Sequence, residues 1–144
     1  MEIYFKYSKD AYGESSTSED IEEVKNAVIK IEENIFYAAS PYESTIFQAK
    51  IIFDRLVELT KDIPQFYLIL DGRNTGKIPS PSVKKYTKGR IKNLDNKLSE
   101  IVIISGKNVF VKLVFPFIKG IVFGNINSTI KYATDEAIDY LKGL

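Results

Sequence analysis

The chain contains no histidine and no cysteine. Without cysteine, disulfides, thiolate nucleophiles and Cys-based zinc sites are excluded. Without histidine, the commonest general base, the commonest transition-metal ligand and the usual partner of a catalytic serine are missing. The expectation is a protein that is not an enzyme and uses no cofactor or metal. Charge of one sign is also scarce: the formal net charge is +1. No global field therefore draws in nucleic acid or an anionic membrane, and nucleic acid is not expected as a partner. The longest apolar stretch, Val109 to Phe123, is interrupted by Lys112, Pro116, Lys119 and Gly120. It is shorter than the ~20 residues of a membrane-spanning helix, so no span is expected. The start, Met1-Glu2-Ile3-Tyr4-Phe5-Lys6, lacks the layout of a signal peptide. These absences together read as a soluble cytoplasmic protein.

What is present is ordinary for a globular chain: 44% apolar and 27% charged residues over 144 positions. That length fits one domain, 1–144, able to fold without a staple. Its organising stretch is Phe66-Tyr67-Leu68-Ile69-Leu70-Asp71-Gly72-Arg73-Asn74. Five apolar residues run into a polar turn, which predicts a central strand buried on both faces. The loop Asp71 to Lys77 then lies beyond the strand's carboxyl end, where open α/β sheets place ligands.

Along the chain, Ile3 to Tyr7 predicts a short strand and Gly13 to Asp20 a loop. Between Val28 and Phe36 the β-branched content predicts a hairpin turning at Glu33-Asn34, preferred to a helix from Ser18 to Glu33. Ser40-Pro41-Tyr42-Glu43 predicts a helix start, with Ile46, Ala49, Phe53, Leu56 and Leu59 or Thr60 forming the buried face. Ser80-Pro81 starts a second helix, with Val83, Tyr86, Ile91, Leu94 and Leu98 inward. Lys84, Lys85, Lys88, Arg90, Lys92 and Lys97 make its outer face basic, against Asp95 alone. Ile101 to Ile104 predicts a parallel neighbour of the central strand. Val109 to Ile118 is apolar all round, which requires cover on several sides. Thr129 to Ala133 predicts a last strand, and Thr134-Asp135-Glu136 caps a final helix. The fold class is α/β, a small mixed β-sheet with helices packed around it.

This order resembles the STAS-like superfamily, the domain of sulfate transporters and anti-sigma-factor antagonists, in its small stand-alone bacterial form. The resemblance runs from about Val24 to Leu144. It is carried by the hairpin before a helix, the strand ending Leu70-Asp71, the helix after Ser80 to Ser82, and the ending Tyr132-Ala133-Thr134-Asp135-Glu136-Ala137. It implies a regulatory or protein-interaction domain that acts through protein partners or small ligands. It also implies a phosphorylated serine at the helix start, where Ser80 and Ser82 stand, although prolines replace the usual acidic neighbour.

Four groups of residues are candidates for function. Asp71, Arg73, Asn74 and Lys77 form a possible ligand or partner loop, whose plain reading is a polar turn. The loop is not a P-loop: Gly72 and Gly76 are one residue too close, and Ile78 stands where Ser or Thr would hold the metal. A hydrolase built on Asp71 and Lys77 is disfavoured by the missing histidine. Ser80 and Ser82 form a phosphosite or a helix cap. The basic helix face is an anion-binding or simply solvated surface. Phe110, Phe115, Phe117 and Phe123 form a core helix, a homodimer interface or a pocket for a small apolar ligand or lipid. The leading expectation is a regulatory interaction domain working through residues 71–82; the alternative is a hydrophobic-ligand or lipid-binding protein using residues 109–123.

Overall fold

A computed structural model describes residues 2–94 and 96–144; Asp95, set above against the basic face, lies outside the described residues. In chain order the elements are α1 (Ser18–Asn26), β1 (Val28–Glu32), β2 (Ile35–Ala39), α2 (Ile46–Thr60), β3 (Phe66–Asp71), α3 (Pro81–Lys92), β4 (Leu98–Ile104), α4 (Val109–Ile121), β5 (Asn127–Lys131) and α5 (Thr134–Lys142). The five strands form one sheet in sequential order, β1-β2-β3-β4-β5. β1 and β2 pair antiparallel through the Glu33-Asn34 hairpin; every later pairing is parallel. This is the mixed α/β sheet expected, with β3 at its centre and parallel to β4.

Alternation along β3 divides its side chains between two differently built layers. Leu68 and Leu70 face Ala49, Ile52, Phe53 and Leu56 of α2 and Thr87 and Ile91 of α3. Leu70 and, from β4, Ile103 also face α4. Tyr37, Asp71 and Glu100 point to the opposite side, where the N-terminal segment and α5 cover the sheet. There the Phe5 N–H donates to the Tyr37 hydroxyl at 3.0 Å, and the Tyr140 hydroxyl donates to Glu100 at 2.8 Å.

Several expected boundaries move, each for a local reason. Ile3 to Tyr7 is extended but joins no sheet. Its alternation is real, with Ile3, Phe5 and Tyr7 turned inward, but it lies across the sheet's face instead of along an edge. Gly13 to Asp20 is not all loop. Thr17 accepts from the Asp20 N–H while Asp20 accepts from the Thr17 N–H, a capping box that starts α1. The hairpin therefore stands, and only the first part of the rival helix forms, ending at Asn26 before β1 begins. Ser40 does not cap α2. Its N–H donates to the Asp71 carbonyl at 2.9 Å, continuing the β2–β3 ladder. A residue before proline favours that extended state. Thr45 is the cap, accepting from the Gln48 N–H. The later start turns Ile46 to solvent and puts Ile52 on the buried face instead. Leu98 belongs to β4, and Tyr86 is only half-buried. The last strand is Asn127–Lys131, two residues early, and Thr134 is the first residue of α5 instead of its cap.

Ser80 caps α3 as expected, accepting from the Val83 N–H at 3.3 Å with Pro81 in the first turn. Leu68 is almost fully buried between α2 and the strands beside it. Replacing it with alanine removes apolar contacts that the surrounding sheet cannot close over. Leu68→Ala should cost about 2–5 kcal/mol in a urea titration, whereas a cost near that of a surface change would contradict the central placement of β3.

Candidate functional site

The parallel strands end on one side of the molecule, and the loops that follow them hold most of the chain's polar candidates. Asp71, the last residue of β3, is 2% exposed. A carboxylate so buried requires partners, and four bonds supply them. The Tyr37 hydroxyl donates to Oδ2 at 2.6 Å, Arg73 donates its backbone N–H and Nε to Oδ1 at 3.0 and 2.9 Å, and Arg73 Nη2 donates to Oδ2 at 2.8 Å. The fork geometry of arginine allows this two-point pairing.

The same guanidinium reaches the N-terminal segment and the start of α5. Its Nη2 donates to the Ile3 carbonyl at 2.7 Å and to the Thr134 hydroxyl at 3.1 Å, and its Nη1 donates to Glu2 at 3.1 Å. Its central carbon Cζ lies 4.4 Å from the centre of the Tyr4 ring, a cation–π contact. The Tyr4 hydroxyl in turn donates to Asn74 at 2.8 Å. Glu2 accepts from the backbone N–H of Thr134 at 2.7 Å and of Asp135 at 3.4 Å, so it caps α5 from the far end of the sequence. Gly106 lies against this knot. Its φ of +52° is one that a residue with a Cβ resists, and such a Cβ would come within 3.1 Å of the Arg73 side chain.

These contacts set the charges. Burial, then the charge and hydrogen bond of Asp71, push the Tyr37 hydroxyl well above the ordinary tyrosine value. Burial pulls Arg73 down, but the hydrogen bond and charge of Asp71, with Glu2, raise it further, so it stays cationic. Burial pulls the Glu2 carboxyl up, but hydrogen bonds from Thr134 and Asp135 and the charge of Arg73 outweigh it and leave it below the ordinary glutamate value.

The expected loop is therefore divided. Asp71, Arg73 and Asn74 are bonded within the chain on the side of α5 and the N-terminal segment. Lys77 turns the other way, toward an apolar cleft of about 150 Å³ between α3 and α4. The floor of that cleft is Leu70 and Ile103, at the carboxyl ends of β3 and β4, and one wall is Val83 and Thr87 of α3. The opposite wall is Val111, Val114, Phe115 and Ile118 of α4, with Phe123 just beyond it. Lys77, Lys84, Ser40, Ser44 and Thr75 are the polar groups around it. Of the four phenylalanines singled out, the structure brings Phe115 and Phe123 to the cleft. Phe110 is half-buried elsewhere on α4, and Phe117 faces solvent.

Asn108 ties α4 to the loop after β3. Its Oδ1 accepts from the Val111 N–H at 3.4 Å, capping α4, while its amide donates to the carbonyls of Gly72, Arg73 and Thr75 at 3.2, 3.0 and 2.8 Å. A Cβ on Gly72 would meet Val111 at 3.3 Å, so the absence of a side chain there allows α4 to approach the loop. Sequence reasoning saw Thr134 as a helix cap alone and missed Asn108, Tyr37 and Glu2. Only Asn108 carried a signal, as a capping residue directly before an apolar run; the others act through contacts more than thirty positions away.

The basic face of α3 is smaller than its sequence suggests. Arg90 bonds Asp54 at 2.9 Å and the Tyr86 hydroxyl at 2.8 Å, and Lys97 donates to the Thr60 carbonyl at 2.8 Å. Lys85, Lys88 and Lys92 are exposed, and Lys84 reaches the cleft. Ser80 and Ser82 are exposed at the start of α3 with their hydroxyls 3.1 Å apart. Among the described residues no group of three or more carboxylates is arranged to hold a metal ion. The chemistry on offer is apolar enclosure, with ammonium and hydroxyl groups at the rim.

Three outcomes follow from this geometry. Arg73→Ala leaves the Asp71 carboxylate buried without its counter-charge and should cost about 3–5 kcal/mol in urea titrations. Lys77→Ala, which removes an exposed pair with Glu43, should cost no more than about 1 kcal/mol. The Glu2 carboxyl is depressed on folding, so its contribution is whole above the ordinary glutamate value of about 4.3 and fades as pH falls through its lower folded value. The stability gap between wild type and Glu2→Gln should therefore narrow from neutral to acid pH; a gap constant with pH would rule out the depressed carboxylate.

Comparison with known proteins adds no relative: no protein-family model matches the chain, and neither does any curated protein or solved structure.

Proposed function

We propose that this protein is a non-catalytic binding module that holds a small apolar ligand in the cleft beneath α4. The observation that carries this reading is the cleft itself, about 150 Å³ lined mainly by aliphatic and aromatic side chains at the carboxyl ends of parallel strands. An apolar cavity of that order accepts a benzene-sized guest. The ligand class is therefore one aromatic ring or a short alkyl chain. Lys77 and Lys84 at the rim suit an anionic end on that ligand. The absence of histidine and cysteine supports binding over turnover.

The STAS-like resemblance supports the same kind of function, since it implies action through bound partners and ligands. It also favours regulation at Ser80 and Ser82. Both are exposed, and they stand between Pro79 and Val83, which line the cleft. A phosphate on Ser82 would place negative charge close in sequence to Lys84 and oppose an anionic ligand while favouring the α3 N-terminus. In this reading the serines tune the cleft, and a protein partner would read its state.

The test is a titration with an alkyl carboxylate series and a matched alcohol series, followed by NMR shifts of the cleft methyl groups. Ile118→Trp, which fills the cleft, should abolish binding at unchanged fold. Ser82→Asp should weaken carboxylates more than alcohols. Shifts spread over the whole surface, or unchanged by Ile118→Trp, would overturn the cleft reading.

A further inference from the structure

The outer face of α4 is as apolar as its inner one. Val109, Leu113, Phe117 and Ile121 are spaced one turn apart and are 63, 69, 68 and 48% exposed. This stripe belongs to no part of the cleft, and monomers seldom leave so much contiguous apolar surface without use. Three exposed lysines accompany it: Lys107 before the helix, and Lys112 and Lys119 along it, seven residues apart and so on one border of the stripe.

Charge over the chain is segregated to match. Residues 72–134 carry twelve Lys and Arg against two Asp and Glu, while residues 1–71 carry seven against fourteen. Of the two acidic groups in the basic part, Glu100 is buried and bonded to Tyr140. No Asp or Glu occurs at all in 72–94 or in 101–134. These two stretches contain α3 and α4, which form the facing walls of the cleft and lie on one side of the sheet.

We infer that this side of the molecule docks on an anionic lipid bilayer, with the α4 stripe inserted at the headgroup–acyl boundary and the surrounding lysines on the headgroups. An amphipathic helix with an apolar face and lysine borders is the element that binds such a surface. α4 has thirteen residues, about 20 Å of helix, well short of a hydrocarbon core, so it lies along the bilayer and not across it. A second copy of the chain fits less well. A two-fold pairing through the stripe places the same surface on both partners, and no acidic residue in 101–134 is there to meet Lys107, Lys112 and Lys119. The docking is independent of what the cleft holds.

The experiment is flotation of the protein with vesicles of phosphatidylcholine alone and of phosphatidylcholine mixed with phosphatidylglycerol. The protein has no tryptophan, so Phe117→Trp supplies a single reporter whose emission should shift to the blue on the mixed vesicles. Binding should require the anionic lipid and weaken with salt. Lys112→Gln and Lys119→Gln should each reduce partitioning about fivefold, and Leu113→Asp or Phe117→Asp should abolish it. These side chains face solvent, so circular dichroism should show an unchanged fold. Ile118→Trp should still bind, which separates this result from the cleft reading. Wild type that ignores both vesicle types, or binds them equally and without salt dependence, would overturn the inference. So would loss of a dimer in Phe117→Asp without any vesicle binding by wild type, which would assign the stripe to a second copy.

Discussion

Much of this structure depends on one buried carboxylate. Asp71 ends the central strand at a depth where an unpaired charge is not tolerated, and Arg73, two residues on, is the cation that answers it. Once the guanidinium is committed there, its remaining N–H groups have a fixed direction. They find the Ile3 carbonyl, Glu2 and the Thr134 hydroxyl. The N-terminal segment and the start of α5 are thereby held at the end of β3. A local demand for neutralisation becomes a long-range constraint on the N-terminal segment and on α5.

The same pair explains why the two layers beside the sheet differ. On the side of α5, the polar groups of Tyr37, Asp71, Arg73, Glu2 and Thr134 bond one another. On the side of α3 and α4, closure depends on apolar packing between helices that do not meet fully over Leu70 and Ile103. Asn108 holds the start of α4 to loop 72–75 through side-chain hydrogen bonds, whereas its far end is packed by the apolar Val122 and Phe123. Pro116 inside α4 lacks the N–H that would reach the Lys112 carbonyl, weakening the helix midway. The looser packing thus lies beneath α4, which is where the proposed ligand would gain most.

The sheet was legible in the sequence because its signals are local. Phe66 to Leu70 and Ile101 to Ile104 are apolar runs bounded by turn residues, and Glu33-Asn34 marks the hairpin. The candidate site was legible only in pieces. Phe115 and Phe123 were visible as part of an over-apolar segment, and Lys77 as part of a polar loop, but their meeting across a cleft depends on tertiary placement. Asp71 and Arg73 look like ligand-binding residues for the same reason that they bind each other. Composition cannot say which partner wins. The Ser40-Pro41 helix start failed because Ser40 had a better use for its N–H in the β ladder, and Thr45 offered an equally good cap five residues later.

Charge shows how much a sum conceals. A net of +1 describes a protein with no field, yet it is the residue of a strongly acidic first half and a strongly basic stretch after it. The distribution was present in the sequence, but its meaning required the fold. A parallel sheet in sequential order places successive crossovers side by side, so a sequence-contiguous basic stretch becomes a spatially contiguous basic side. Had the strand order doubled back, α3 and α4 could have lain on opposite faces and the same lysines would have been scattered. Sequential winding thus converts a linear bias in acidic residues into a surface with direction, with the exposed apolar stripe of α4 lying within it.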